Sequence, residues 1–223
     1  TVTETLSKTD AVGRITSTYS ERESIPDILI QNAAYQQASA MGSLQERPAP
    51  TENTEEALVN VYCTYTTDKQ IRTNTGTGFF VSPDGVVMTN AHVAQFLLLE
   101  AVNNTGTTEC IIRAGDPATP IYEAELLYIS PAWVQKHASL ITDHHPKGTG
   151  ERDFALLYVT AGVDNKTMPG RFPYLALNKS PLTKQMIGNT VVAAGYPAAT
   201  ALANGTKSDL RPQSAHTSIT NLY

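Results

Sequence analysis

Gly76-Thr77-Gly78-Phe79-Phe80-Val81-Ser82-Pro83-Asp84-Gly85-Val86-Val87-Met88-Thr89-Asn90-Ala91-His92-Val93 is the stretch on which the fold turns. Two apolar runs, Gly78–Ser82 and Gly85–Asn90, flank Pro83-Asp84-Gly85. That tripeptide is a tight-turn signal, because Pro presets φ and Gly accepts left-handed backbone. The pattern predicts an antiparallel hairpin. Its second strand runs into His92, so an imidazole is delivered to the mouth of a strand. Gly76 and Gly78 carry no Cβ and let the chain pack closely beneath that histidine. Ala91–Ala101 is apolar and breaker-free, which predicts one helical turn or more directly after the hairpin.

The same texture extends outward. Leu58–Tyr65 precedes the hairpin, and Glu109–Arg113, Tyr122–Ile129 and Phe154–Thr160 follow it, each bounded by Gly, Pro, Asn or Asp. Six short strands at this spacing predict a small antiparallel barrel or sandwich. Upstream, residues 1–24 read as a polar tail. Pro26 at a first helical turn, followed by Ile28, Leu29, Ile30, Ala33, Ala34 and Ala38, predicts a short helix over 26–41. Residues 42–56, with Pro48 and Pro50, read as a linker. Downstream, residues 161–187 read as a loop-rich connector. Asn189–Gly195 is a further strand, 198–215 are small and polar, and Thr217–Tyr223 is one more strand. The expected organisation is therefore a tail, helix and linker over 1–56, a barrel over 57–162, a connector over 163–187 and a second β unit over 188–223.

Composition narrows the function. Of 223 residues, 41% are apolar and 17% charged, which is enough to build cores. The formal net charge is −5 and no basic run occurs. Nucleic-acid binding wants a basic face, so none is expected. No apolar run reaches the roughly 18 residues of a membrane span. The chain starts at Thr1 without Met, compatible with a trimmed product that has lost a signal or anchor upstream.

The second chemical segment is Arg152-Asp153-Phe154-Ala155-Leu156-Leu157-Tyr158-Val159, an aspartate directly preceding an apolar strand. Such a residue is often a solvated turn aspartate. Taken with the hairpin, it carries a resemblance. The hairpin resembles the histidine segment of the chymotrypsin/trypsin-like serine peptidases, especially bacterial trypsin-like and HtrA-type members, over about eighteen consecutive positions. Arg152–Val159 is similar to the aspartate segment of the same family. Leu175-Ala176-Leu177, then Gly188 through Tyr196-Pro197, looks like the bridge into that family's second barrel. The resemblance implies a six-stranded Greek-key barrel followed by the beginning of a second barrel. It implies a protein or peptide substrate, no cofactor, His92 as general base and Asp153 as the carboxylate that orients it. A serine hydroxyl is a poor nucleophile at neutral pH, and a positioned imidazole is the base it needs.

One part of the family pattern is missing. No G-[DN]-S-G-G segment occurs. Ser208, Ser214 and Ser218, the serines after Gly195, lack the flanking glycines that shape an oxyanion hole. None is assigned as nucleophile. The reading is thus the front part of a serine endopeptidase, truncated before its nucleophile and inactive by itself. The alternatives are a catalytically dead pseudoprotease that binds protein, and an unrelated β-sandwich adhesion module.

Two cysteines, Cys63 and Cys110, lack zinc-type spacing and read either as buried thiols or as one disulfide. In the family's barrel the first strand closes against the fourth, which would make them cross-strand neighbours. A bond between them would favour an extracytoplasmic protein, periplasmic or secreted. His144-His145 beside Asp143 lacks a third spaced ligand and is not read as a metal site. His137 and His216 read as surface residues.

Overall fold

The structure is a computed structural model that describes residues 49–102, 106–143, 148–178, 180–197 and 210–221. The polar tail, the helix expected over 26–41 and most of the linker lie outside the described residues.

A short helix α1, Thr54–Ala57, is the first element among the described residues. It replaces the end of the expected linker and starts because the Asn53 side chain accepts the Glu55 N–H. Strands β1 (Leu58–Thr67), β2 (Ile71–Ser82) and β3 (Val86–Thr89) follow. Then come helices α2 (Ala91–Ala94) and α3 (Leu97–Val102), the turns anticipated by the apolar run. Strands β4 (Gly106–Ala114) and β5 (Thr119–Ile129) lead to helix α4 (Pro131–His137), a 3-10 turn over Ala138–Thr142, and strand β6 (Ala155–Gly162). The six strands form one closed antiparallel barrel in the order β1-β2-β3-β6-β5-β4. The all-β, Greek-key barrel expected from the sequence is the fold.

Alternation explains the closure. Val59, Val61 and Cys63 of β1, Ile112 of β4, and Ala155, Leu157 and Val159 of β6 all point inward and are buried. Each of the Val, Ile and Leu side chains contributes about 1.5–3 kcal/mol relative to exposure. The strand also buries Asn60, whose Nδ2 donates to Thr75 Oγ1 and to the Gly76 carbonyl. Cys63 and Cys110 face each other in the β1–β4 register, with Cα atoms 4.1 Å apart, and are disulfide-bonded.

At the β2–β3 turn, Gly85 has φ +89° and its N–H donates to the Ser82 carbonyl. The connector then folds back across this turn. Phe172 N–H donates to the Pro83 carbonyl, Leu175 N–H to that of Phe80, and Phe172 stacks on Phe80 with centroids 4.8 Å apart.

Beyond the connector, β7 (Thr190–Gly195) pairs, among the described residues, only with β8 (Gln213–Ser218). The second strand thus begins four residues earlier than the expected Thr217–Tyr223. Its sequence QSAHTS is exposed throughout, so no apolar alternation marks it. The end of β7 is fastened to the barrel: Tyr196 N–H donates to Thr77 Oγ1 at 2.8 Å and Tyr196 Oη to the Gly115 carbonyl at 3.1 Å. Tyr196, Leu58 and Leu210 form a small separate cluster there.

Candidate active site

His92 and Asp153 lie 61 residues apart in sequence and meet at the end of the barrel. β3 stops at Thr89, Asn90 is extended, and the single turn α2 presents His92. Two side chains fix that turn from below. Asn74 Nδ2 and Gln95 Nε2 each donate to the His92 carbonyl at 2.9 Å. Val93 is buried directly over Gly76, where a Cβ would stand 2.6 Å from Val93 Cγ2. A Cβ on Gly78 would stand 2.9 Å from both Val61 Cγ2 and Val87 Cγ1. The two glycines are therefore spacing residues, and neither has a left-handed φ.

Asp153 enters from the other side, just before β6. Asn90 Nδ2 ties it to the hairpin by donating to the Asp153 carbonyl at 3.0 Å. Its carboxylate collects three donors. Oδ1 accepts the His92 backbone N–H at 3.1 Å; Oδ2 accepts the Thr149 N–H at 3.0 Å and faces His92 Nδ1 at 2.8 Å. An ionised carboxylate only accepts, so the ring proton sits on Nδ1. The Asp153 side chain is 2% exposed and that of His92 is 16% exposed. Burial pushes the Asp153 carboxyl up; the His92 and Thr149 donors and the adjacent ring outweigh it and hold it below its ordinary value. Nε2 of His92 has no hydrogen-bond partner among the described residues and is available to a reacting group.

Residues 76–221 match the trypsin-like peptidase domain family. The chain belongs to the trypsin-like peptidases. The match begins inside β2, yet β1, upstream of it, closes the barrel against both β2 and β4. No curated protein matches the chain.

The other candidates fall elsewhere. Ser214 and Ser218 lie on the exposed β8, and neither is hydrogen-bonded to His92 among the described residues. Ser208, His144 and His145 lie outside the described residues. His137 ends α4 beside the Trp133 ring, with centroids 5.6 Å apart. Sequence reading missed Asn74, Asn90, Gln95 and Thr149, the groups that hold the pair. It also missed α4, whose Ser130 cap and Pro131 at the first turn were a legible start signal.

Proposed function

We propose that the protein is a serine endopeptidase in which His92 is the general base and Asp153 its orienting carboxylate. The observation that carries this reading is the 2.8 Å contact between His92 Nδ1 and a buried, triply hydrogen-bonded Asp153 carboxylate. With Nδ1 protonated and engaged, Nε2 is the basic nitrogen. It takes the proton of a serine hydroxyl as that oxygen attacks the peptide carbonyl, and later returns it to the leaving amine. Asp153 stays ionised and stabilises the imidazolium that forms between those steps.

In this reading the nucleophilic serine is supplied from outside these 223 residues, since none of them sits in a Gly-x-Ser-Gly setting. The substrate is a protein or peptide. The Cys63–Cys110 disulfide supports an extracytoplasmic location, because cytosolic thiols stay reduced.

Labelling with a serine-directed fluorophosphonate tests the assignment. The full-length gene product is expected to be labelled at one serine flanked by glycines, and the 223-residue chain not at all. Labelling of Ser208, Ser214 or Ser218, or no labelling of the full-length product, contradicts it.

A further inference from the structure

The third donor to Asp153 comes from the segment between α4 and β6, outside both sequence motifs. Thr149 sits between Gly148 and Gly150. Glycines on both sides make a backbone whose ordering costs much conformational entropy, which a fixed contact must offset. Gly150 has φ +81°, and a Cβ there would meet nothing within 4 Å. Gly148, by contrast, lies over the pair: a Cβ there would stand 3.6 Å from Asp153 Oδ2 and 3.7 Å from His92 Cε1.

What pins Thr149 is Trp133. The indole Nε1–H donates to Thr149 Oγ1 at 2.7 Å. Trp133 is 2% exposed and belongs to the barrel's own core cluster. Its helix is fixed by the Ser130 cap, by Pro131 and by buried Val134. A second link joins α4 to the same segment, Lys136 Nζ to Glu151 Oε2 at 3.9 Å, with both side chains about two-thirds exposed. Exposed pairs of that kind hold little. The indole bond is the rigid connection.

We propose that Trp133 and Thr149 are positioning residues for the His92–Asp153 pair. The core-anchored indole holds the Thr149 hydroxyl, and this fixes the Thr149 backbone N–H on Asp153 Oδ2. That N–H leaves the carboxylate one favoured orientation toward His92 Nδ1. Without it Oδ2 keeps a single donor, and the flap of residues 148–150 over the ring opens to water. The inference rests on the reading of His92 and Asp153 as an acid–base pair.

The test uses the 223-residue chain, NMR and three variants. Trp133→Phe keeps an aromatic ring and loses the indole N–H. Thr149→Val keeps the shape and loses the hydroxyl, and Thr149→Ser restores it. In the first two the amide of residue 149 is expected to exchange with solvent about tenfold faster, the scale of one lost hydrogen bond. The His92 Nδ1 proton resonance is expected to broaden or vanish through exchange with water. Thr149→Ser should match the wild type on both readouts, and the amides of Val59 and Leu157 in the barrel should keep their protection in all three.

A wild-type exchange rate at the residue-149 amide and a wild-type Nδ1 resonance in Thr149→Val overturn the proposal, even if Trp133→Phe loosens the core. So does a Thr149→Ser variant that behaves like Thr149→Val. No readout needs hydrolysis, so a failed peptidase assay and a failed positioning test are separate results.

Discussion

The barrel and the β7–β8 hairpin are built from the same antiparallel ladder, but their surroundings differ. In the barrel six strands close on themselves, no ladder edge is left open, and Val59, Val61, Val87 and Leu157 are fully buried. In the hairpin Val191 is 38% and Val192 52% exposed, and every residue of β8 is exposed. A two-stranded sheet satisfies its backbone pairing across one edge and builds no core. The hairpin is held at its end, through Tyr196 and Thr77, while the barrel is held throughout. Among the described residues, the groups bonded to the His92–Asp153 pair, Asn74, Asn90, Gln95 and Thr149, all lie on the barrel side, as does Trp133, which bonds Thr149. The His92–Asp153 pair therefore sits on the closed barrel and not on the hairpin.

That contrast is open to attack in order of size. The largest effect is expected from Cys63→Ala with Cys110→Ala. The bond closes a loop of 47 residues that contains His92, and the chain-entropy model gives a loss of about 4 kcal/mol. Denaturant unfolding should show it, with amide exchange in β7–β8 unaltered. Next is Leu157→Ala in the barrel wall, expected to cost about 2–5 kcal/mol because it empties a fully buried site. Gly78→Ala is expected to cost about 1–3 kcal/mol, since its methyl would press on Val61 and Val87 from both sides.

A further loss is confined to acid. The folded Asp153 carboxyl lies below its ordinary value, so its stabilisation is present above the unfolded value near 4 and disappears as pH falls through the lower folded value. Asp153→Asn should flatten that part of the stability–pH curve. The smallest effect is Val192→Ala, expected within about 0.5 kcal/mol because half of that side chain already faces water. A loss as large as that of Leu157→Ala would mean that the hairpin has a core of its own.

The sequence made the barrel legible where burial alternates, and less so elsewhere. β1, β5 and β6 emerge from residues 58–65, 122–129 and 154–160 because their inward positions are aliphatic or aromatic. β2 extends upstream to Ile71, which the sequence hides: the positions of Ile71-Arg72-Thr73-Asn74-Thr75 that turn inward are the polar Arg72 and Asn74, while Ile71 is exposed, so no apolar alternation marks it. β8 is polar on both faces and was misplaced for the same reason. His92 and Asp153 were legible because each sits beside a patterned strand. Thr149 was not, since it acts through a backbone N–H that any residue except proline carries, and its importance arises only when the chain folds it onto Asp153. Arg152, at φ 58°, likewise shows its left-handed turn only in three dimensions.

The most direct test is hydrolysis of a denatured protein by the full-length gene product and by its His92→Ala variant. The account predicts cleavage by the wild type and a fall of about a hundredfold to ten-thousandfold in the variant, with barrel amides unchanged. A folded His92→Ala protein that cleaves at the wild-type rate would contradict it.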